Sequence, residues 1–287
     1  MLFAPFDIAD GGGSASRLAK ALREGDGSLG SGIRPGAPVA VLVNNAGLAY
    51  KGDAFGAGEA KATLDTNFRG TRAVTRALLP VMLETCGGGK GGGGASAVLP
   101  RVVNVTSSAA GLGQFDRAAA AAGGGNNPAA SAALKRRFLE AGEAGGDEAA
   151  GDALLDALAS EFERGVADGS WRASGWPGSM YGVSKALENA YSRQLALRGG
   201  AGAGGGGGGS GSGSGSGGGG APSPPFPRWT SVAVHPGYIA TSMSSYKGPL
   251  PPSRGADTIV WAALLAPGGD AERASGAFYH DRQLREY

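Results

Sequence analysis

A tyrosine and a lysine stand four residues apart in the segment Tyr181-Gly-Val-Ser-Lys185. In a helix, residues at positions i and i+4 lie on the same face, with their β-carbons about 5–6 Å apart. A phenol with an ordinary pKa of roughly 10 can give and take a proton near neutral pH when a cation beside it favours its ionised form. This spacing is also common on helix surfaces, so the hypothesis of a proton-transfer pair depends on the residues around it.

Polar or small residues follow three short segments that the sequence predicts as buried strands, the first of which, 39–43, is continuously apolar. A continuous apolar run of this length is typical of a strand covered on both faces of a parallel sheet. Because ligands of such sheets bind at the carboxyl ends of the strands, the residues that follow are candidate site residues. The predicted strands span 39–43, 101–106 and 230–235, and the candidates are Asn44, Asn45, Ala46 and Gly47, then Ser107 and Ser108, then Pro236, Gly237, Ile239 and Thr241.

Segments with helical periodicity separate these strands. They cover 59–83, 133–165, 180–197 and 256–265, and a last short strand is predicted at 276–279. This alternation predicts an α/β fold with a Rossmann-like, doubly wound parallel sheet, built as one domain over 1–287. In the first helical segment Asn67 is a poor helix former, which indicates an interruption or a functional position. In the second, Leu154, Leu158 and Phe162 predict one apolar stripe.

The composition argues against several classes of function. The 287 residues carry 26 basic and 24 acidic side chains, a net charge of +2, without a basic stripe that would bind a nucleic acid. No apolar run approaches the roughly 18 residues of a membrane span, and the start of the chain lacks the features of a secretory signal. His235 and His280, the two histidines, do not have metal-ligand spacing, so we predict no metal site. The single Cys86 excludes an internal disulfide and favours a reducing compartment, which we expect to be the cytoplasm.

Glycine accounts for 56 residues, many of them in uninterrupted runs. Such runs bury no apolar surface and lose much backbone entropy when they become ordered, so they behave as flexible coil. We therefore predict low-complexity loop insertions near 87–95, 119–128 and 199–225 instead of ligand-binding glycine loops.

Five segments, in their order and rough spacing, resemble the short-chain dehydrogenase/reductase family and, within it, the monomeric carbonyl reductases. They are Val-Leu-Val-Asn-Asn-Ala-Gly at 41–47, Thr-Asn-Phe-Arg-Gly-Thr at 66–71, Arg-Val-Val-Asn-Val-Thr-Ser at 101–107, Gly-Trp-Pro-Gly-Ser-Met-Tyr-Gly-Val-Ser-Lys at 175–185 and Pro-Gly-Tyr-Ile-Ala-Thr at 236–241. Each segment alone is a moderate signal, whereas together they span almost the whole chain. The resemblance implies an oxidoreductase that reduces a small-molecule carbonyl substrate (a ketone, an aldehyde or a quinone) with NADPH.

The resemblance also implies a role for each candidate residue. Tyr181 would protonate the carbonyl oxygen while a hydride reaches the carbonyl carbon, and Lys185 would favour ionised Tyr181 and hold the cofactor ribose. Ser107 would donate a hydrogen bond to the substrate oxygen; counting from the strand favours Ser107, and counting back from Gly111 favours Ser108. Asn67 would position a water of the proton relay. The residues implied in cofactor binding are Asp7, Ile8, Asn44, Asn45, Ala46, Gly47, Tyr181, Lys185, Pro236, Gly237, Ile239 and Thr241.

One part of the family's pattern is not found in this sequence. The family begins with a strand, a Thr-Gly-x-x-x-Gly-x-Gly loop and a helix, and the loop holds the cofactor pyrophosphate at the helix N-terminus. The glycines of 6–14 precede a helical segment and offer an alternative loop, but Asp7 and Ile8 match a later family segment that follows the third strand. We therefore expect a strand at 3–8, a sheet that lacks the first two strands and the phosphate-binding loop, and a sequence truncated ahead of Met1.

Three functions remain open at this point. The first is an NADPH-dependent carbonyl reductase, the second is a truncated, non-catalytic remnant that cannot hold a dinucleotide, and the third is a short-chain alcohol or steroid dehydrogenase. The long connection between Ser107 and Tyr181 resembles the helical insertion of the monomeric carbonyl reductases, so we also predict a monomer. An organellar transit peptide ahead of Met1 is the alternative to a cytoplasmic location.

Overall fold

The computed structural model of the 287-residue chain describes residues 5–25, 34–52, 54–86, 98–120, 127–200, 228–266 and 269–286. Of the predicted glycine-rich insertions, 87–95 and most of 119–128 and 199–225 lie outside the described residues. All five segments that carry the family resemblance lie inside them. No helix in these ranges is long and apolar enough to cross a lipid bilayer.

A five-stranded sheet forms the centre of the fold, and its strands follow one another in chain order from edge to edge. The strands are β1 (Val41–Asn44), β2 (Arg101–Val105), β3 (Thr230–Val234), β4 (Phe278–His280) and β5 (Gln283–Arg285). Strands β1 to β4 run parallel, and β5 pairs antiparallel with β4. The predicted parallel α/β sheet is confirmed, and the carboxyl ends of β1, β2 and β3 lie at one edge of it.

The sequence does not predict the fifth strand. Asp281 and Arg282 join β4 to β5 as a two-residue hairpin loop, and their φ angles are both positive, at 48° and 60°. Two-residue loops of this conformation usually carry Asn-Gly or Asp-Gly. The pair Asp-Arg therefore gives no hairpin signal.

Nine helices lie in the described part of the chain: α1 (Gly13–Glu24), α2 (Ala57–Leu64), α3 (Thr71–Thr85), α4 (Gly113–Ala120), α5 (Pro128–Glu143), α6 (Glu148–Asp168), α7 (Met180–Gly199), α8 (Pro252–Ala263) and α9 (Asp270–Ala274). A π-helical turn, Asp65–Gly70, separates α2 from α3 and contains Asn67, which confirms the predicted interruption. The predicted segment 133–165 divides into α5, which ends at Glu143, and α6, because the side chain of Asp147 caps a new helix start within it.

Helices cover both faces of the sheet. Neighbouring residues of β2 point to opposite faces: Val102 joins a core with α2, α5, α6 and α7, whereas Val103 and Val105 join a core with α8 and α9. All five residues of β2 are buried, as predicted for a strand that is covered on both faces. A third core lies between α1 and α3, around Ala19 and Val74. This two-sided burial is the doubly wound arrangement that the sequence predicts.

The apolar stripe of α6 differs from the prediction at its first position. Leu158 and Phe162 are buried, but Leu154 is 43 % exposed and its neighbour Leu155 is fully buried. Leu155, Leu158 and Phe162 stand at positions i, i+3 and i+7, which follow the 3.6-residue helical period more closely than the predicted positions i, i+4 and i+8. Leu155 therefore shares the buried face. That face packs within the same chain, against α2 and α7.

We expect Leu155→Ala to lower the free energy of unfolding by about 2–5 kcal/mol, because it removes fully buried methyl groups and leaves a cavity. The matched control is Leu154→Ala, the same change one residue earlier on the exposed side of α6, which should stay within about 0.5 kcal/mol of the wild type. Urea unfolding at constant m-value measures both. Equal losses for the two variants would contradict the observed stripe.

The predicted strand at 3–8 is wrong for its described part, since residues 5–8 form no strand. Two aspartates make local turns instead: Asp7 Oδ1 accepts the N–H of Ala9 at 2.9 Å, and Asp10 Oδ1 accepts that of Gly12 at 3.1 Å. Aspartate side chains that bond to the nearby backbone in this way compete with strand pairing.

The alternative interpretation of 6–14 as a phosphate-binding loop is also wrong. Asp10 Oδ2 accepts hydrogen bonds from the Ser14 N–H and hydroxyl, at 2.6 and 2.7 Å, where α1 begins. The N-terminus of a helix is the position at which a phosphate binds, through free N–H groups and the helix dipole. Here a carboxylate of the chain itself occupies that position.

Candidate active site

Tyr181 lies in the first turn of α7, and the residues before the helix fix its place. The Ser179 hydroxyl caps α7 and accepts the N–H of Gly182 at 2.9 Å. Further upstream, Gly175 has a φ angle of +82°, and its carbonyl accepts the Ser131 hydroxyl of α5 at 2.8 Å. A methyl group at Gly175 would lie 2.4 Å from the Ser131 nitrogen, so glycine is required for α5 to approach this closely. The segment before α7 is thus anchored to α5.

Lys185 lies near the Tyr181 ring, as the i, i+4 spacing predicts. Its Nζ atom is 6.0 Å from the ring centroid, and its side chain is 3 % exposed. Nζ donates hydrogen bonds to the Val105 carbonyl at 2.8 Å and to the Glu188 carboxylate at 2.7 Å. Because Val105 is the last residue of β2, these bonds hold the ammonium at the carboxyl edge of the sheet.

Asn67 joins the turn after β1 to helix α7. Its Oδ1 atom accepts the N–H of Leu48 at 2.7 Å, and its Nδ2 atom donates to the Leu48 carbonyl and the Ser184 hydroxyl, both at 2.9 Å. A methyl group at Gly47 would lie 3.4 Å from Asn67 Oδ1 and 3.6 Å from Lys185 Nζ. Asn67, Gly47 and Lys185 are therefore immediate neighbours, although they lie on three different segments.

Ser107 follows β2 and is half-buried, whereas Ser108 is exposed. The Ser107 hydroxyl oxygen accepts the N–H of Ala109 at 3.1 Å and caps the 3₁₀ turn Ser108–Ala110. This turn packs against the start of α7, since a methyl group at Gly182 would lie 3.1 Å from the Ala109 carbonyl oxygen. Burial and position at the strand end favour Ser107 over Ser108.

The predicted cofactor residues after β1 differ in their environment. Asn44 is buried, and its Nδ2 atom donates to Asn104 Oδ1 at 2.8 Å and to Thr75 Oγ1 at 2.9 Å. It therefore ties β1 to β2 and α3. Asn45 and Ala46 are exposed, which leaves their backbone accessible at the sheet edge.

A second group of these residues, Pro236, Gly237, Ile239 and Thr241, follows β3 at the same edge of the sheet. Gly237 has a φ angle of +89°, and its N–H donates to His235 Nδ1 at 3.0 Å. The His235 ring stacks on His280 at 3.9 Å. Burial, with a smaller contribution from His280, lowers the pKa of His235 to about 4, so this imidazole is neutral at pH 7.

Across the described residues, no three His, Cys, Asp or Glu side chains converge as metal ligands would.

Asp7 and Ile8 form the third group, beside the π-helical turn. A methyl group at Gly70 would lie 2.4 Å from the Ile8 carbonyl oxygen, so the two backbones touch. Asp7 is exposed, and its N–H donates to the Ser14 hydroxyl at 3.1 Å.

A cleft of about 450 Å³ opens beside Tyr181. Tyr50, Phe55, Trp171 and Arg172 contribute to its walls. The Phe55 and Trp171 ring centroids are 4.9 Å apart, and the Arg172 guanidinium lies 4.7 Å from the centroid of the Trp171 ring. The cleft thus combines aromatic rings with small and polar residues and has one cation at its wall.

The sequence did not reveal the role of Glu188 or the contribution of Phe55 and Trp171 to the cleft. Glu188 is 1 % exposed and pairs with Lys185. Burial raises the pKa of Glu188 to about 7, and the attraction of Lys185 opposes this rise. The sequence signal that could have found Glu188 is its spacing, because a glutamate three residues after Lys185 lies on the same helix face.

Comparisons with known proteins identify relatives of the chain. No protein-family model matches the chain. Carbonyl reductase (NADPH) 1 of Mus musculus is 30 % identical over 249 residues, which cover 86 % of this chain and 69 % of the mouse protein. Salutaridine reductase from Papaver somniferum superposes with a TM-score of 0.63 at 21 % identity, over 96 % of this chain and 80 % of that one. NADPH-bound carbonyl reductase from chicken fatty liver superposes with a TM-score of 0.55 at 15 % identity, over 99 % of this chain and 73 % of that one.

The relatives and the fold define an oxidoreductase of the α/β class. The chain belongs to the short-chain dehydrogenase/reductase family, in its carbonyl reductase branch. The resemblance drawn from the five sequence segments is thereby confirmed.

Proposed function

We propose that the chain reduces the carbonyl group of ketones, aldehydes or quinones, with NADPH as hydride donor and Tyr181 as proton donor. The observation that carries this proposal is the buried Lys185 ammonium, 6.0 Å from the centroid of the Tyr181 ring, beside a cleft that contains aromatic rings. The mouse relative is named for NADPH-dependent carbonyl reduction, and the chicken enzyme was solved with NADPH bound, which supports the same cofactor here.

The residues around Lys185 fit a nicotinamide cofactor. Two of the three N–H groups of its ammonium donate to Val105 and Glu188 within the described chain, and the third suits a ribose hydroxyl. The exposed backbone of Asn45 and Ala46 stands at the end of β1, the kind of position at which doubly wound sheets bind dinucleotides. When bound, NADPH supplies the hydride.

The chain's own residues handle the proton and the developing charge. Tyr181 donates its phenolic proton to the substrate oxygen as the carbonyl carbon is reduced. Lys185 stabilises the phenolate that remains, because a nearby cation in a water-poor site favours an anion. Ser107 donates a hydrogen bond to the same substrate oxygen, where negative charge develops. A water beside Asn67 passes a proton through Lys185 to restore Tyr181.

The cleft favours substrates with a flat apolar body. Phe55 and Trp171 offer ring surfaces on which an aromatic ketone or a quinone can stack. Arg172 adds a cation that suits an acidic group on such a substrate.

We expect the purified protein to consume NADPH in the presence of aromatic ketones and quinones, followed as the loss of reduced-nicotinamide absorbance. Lys185→Met should lower kcat by at least about 10²-fold, because it removes the group that stabilises the phenolate. The matched control is Lys20→Met on α1, whose side chain is 68 % exposed and which should retain full turnover.

Three outcomes would contradict the proposal. Equal turnover of the two lysine variants would remove Lys185 from the mechanism. Calorimetry showing that the folded protein does not bind NADPH would favour the non-catalytic alternative. A higher kcat/KM for oxidation of a steroid or alcohol than for any carbonyl reduction would favour the dehydrogenase alternative.

The monomeric state and the cytoplasmic location stay predictions. Burial of the α6 stripe within its own chain supports a monomer, and a stable tetramer in sedimentation would contradict it.

A further inference from the structure

Glu188 is a buried carboxylate that the mechanism above does not use. It is 1 % exposed, and its Oε2 atom lies 2.7 Å from Lys185 Nζ. A carboxylate without water around it is unfavourable unless it is paired and hydrogen-bonded. Glu188 and Lys185 therefore form one electrostatic unit at the centre of the site.

This unit affects both the position and the field of the lysine. Glu188 and the Val105 carbonyl hold Nζ from two directions, at 2.7 and 2.8 Å, which restricts where its remaining N–H can point. An ionised Glu188 also cancels part of the positive field that Lys185 exerts on Tyr181. A neutral Glu188 would leave that field undiminished.

Lys185 is the charged group that faces Glu188. Burial raises the pKa of Glu188 to about 7, and among the described residues only Lys185 counteracts this rise. The π-helical turn places Asn67, whose side chain is an uncharged amide, near Lys185 and Ser184. The charged groups on elements that pack against α7 have other partners. Lys61 and Arg69 both pair with Asp65, and Arg69 also pairs with Glu163. The remaining pairs are Arg72, Arg76 and Arg198 with Asp152; Arg137 with Glu161; Arg193 with Glu143; Arg101 with Glu272; and His235 with His280.

We propose that Glu188 is a positioning residue that sets the effective charge of Lys185 and thereby keeps Tyr181 in its protonated, proton-donating form. With Glu188 ionised, the pair is close to neutral and the phenol keeps its proton. With Glu188 protonated, the full charge of Lys185 acts on Tyr181 and favours the phenolate. The effect of this charge coupling on catalysis rests on the proposed function, whereas the coupling itself is a property of the cofactor-free chain.

The test is Glu188→Gln, which keeps a hydrogen-bond acceptor for Lys185 and removes the charge. Phenolate absorbance is followed against pH in cofactor-free protein. The part of this absorbance that is lost in Tyr181→Phe belongs to Tyr181. We expect the midpoint of this absorbance to move to lower pH by about one pH unit, the size expected for one charge about 10 Å away at an effective dielectric constant of about 20. A purely structural Glu188 would leave the midpoint in place or move it upward, and either result would overturn the proposal.

Glu161→Gln is the matched control. Glu161 on α6 also pairs with a cation, Arg137 of α5, but its side chain is partly exposed and does not line the cleft beside Tyr181, so its neutralisation should leave the midpoint unchanged. In the active enzyme, the alkaline limb of the pH–rate profile for carbonyl reduction should move to lower pH with Glu188→Gln alone. If the phenolate midpoint moves but no carbonyl is reduced, the proposed function fails and the charge coupling stands.

A measurement on the wild type keeps the proposal testable if Glu188→Gln does not fold. Carbon-13 NMR of labelled glutamate and tyrosine follows both groups at once, and coupled sites report each other's titration. We expect the ring ζ-carbon of Tyr181 to shift in a small step at the pH at which a glutamate carboxyl titrates. A Tyr181 resonance without such a step would overturn the coupling.

Discussion

Tyr181→Phe should lower the turnover of carbonyl substrates by about 10²- to 10⁴-fold, because it removes one hydroxyl group and with it the proton donor. The ring that lies near Lys185 would remain, so the variant should keep the packing of the first turn of α7. The measurement is kcat for an aromatic ketone or quinone with NADPH. Calorimetry on the same variant should give an NADPH affinity close to that of the wild type.

The control for this substitution is Tyr246→Phe. Tyr246 is 72 % exposed and does not line the cleft beside Tyr181, so the same chemical change there should leave turnover unaltered. Retained turnover in Tyr181→Phe would exclude Tyr181 as the acid. Loss of turnover together with loss of NADPH affinity would indicate a binding role instead.

Trp176→Ala should lower the free energy of unfolding by about 3–5 kcal/mol, the largest loss of stability that we expect from a single side chain here. Trp176 is fully buried, and its ring lies 5.2 to 6.2 Å from the rings of Phe115, Phe138 and Phe162, which come from α4, α5 and α6. Its removal therefore opens a cavity where three helices and the segment before α7 meet. Urea unfolding with a constant m-value measures the loss.

Trp261→Ala is the control for the tryptophan. Trp261 on α8 is partly buried against the other face of the sheet and packs on Tyr279 at 5.1 Å, so its truncation should cost clearly less stability. Because Trp176 lies five residues before Tyr181, Trp176→Ala should also reduce turnover of the fraction that stays folded. Similar losses of stability for both tryptophans would contradict a central role for the aromatic cluster.

The parts of the fold and site that depend on local spacing could be predicted from the sequence. Helix geometry alone converts the four-residue step from Tyr181 to Lys185 into proximity. The three valines within 101–105 predict β2, because β-branched residues favour strands. Asn67 signals an interruption because it is a poor helix former, and the π-helical turn is there.

Features that depend on contacts between distant segments, or on competition between two local structures, could not be predicted in this way. The importance of Glu188 rests on its burial, which the surrounding helices and strands decide together. The side-chain turns of Asp7 and Asp10 replace the strand expected at 3–8. The approach of Phe55 to Trp171 joins residues that no sequence pattern connects.

The hydrogen bonds of the site also have a consequence for the order of folding. Asn67 and Ser184 are 117 positions apart, and Lys185 and Val105 are 80 positions apart, so each bond closes a long loop of chain. Closing such loops lowers the entropy of the chain before any contact stabilises it, and structures that depend on them form late. The proton-transfer group therefore assembles only after α7 has docked on β2 and on the turn after β1. A partly folded species in which α7 has not docked would lack this group, so the appearance of turnover during refolding would report the docking of α7.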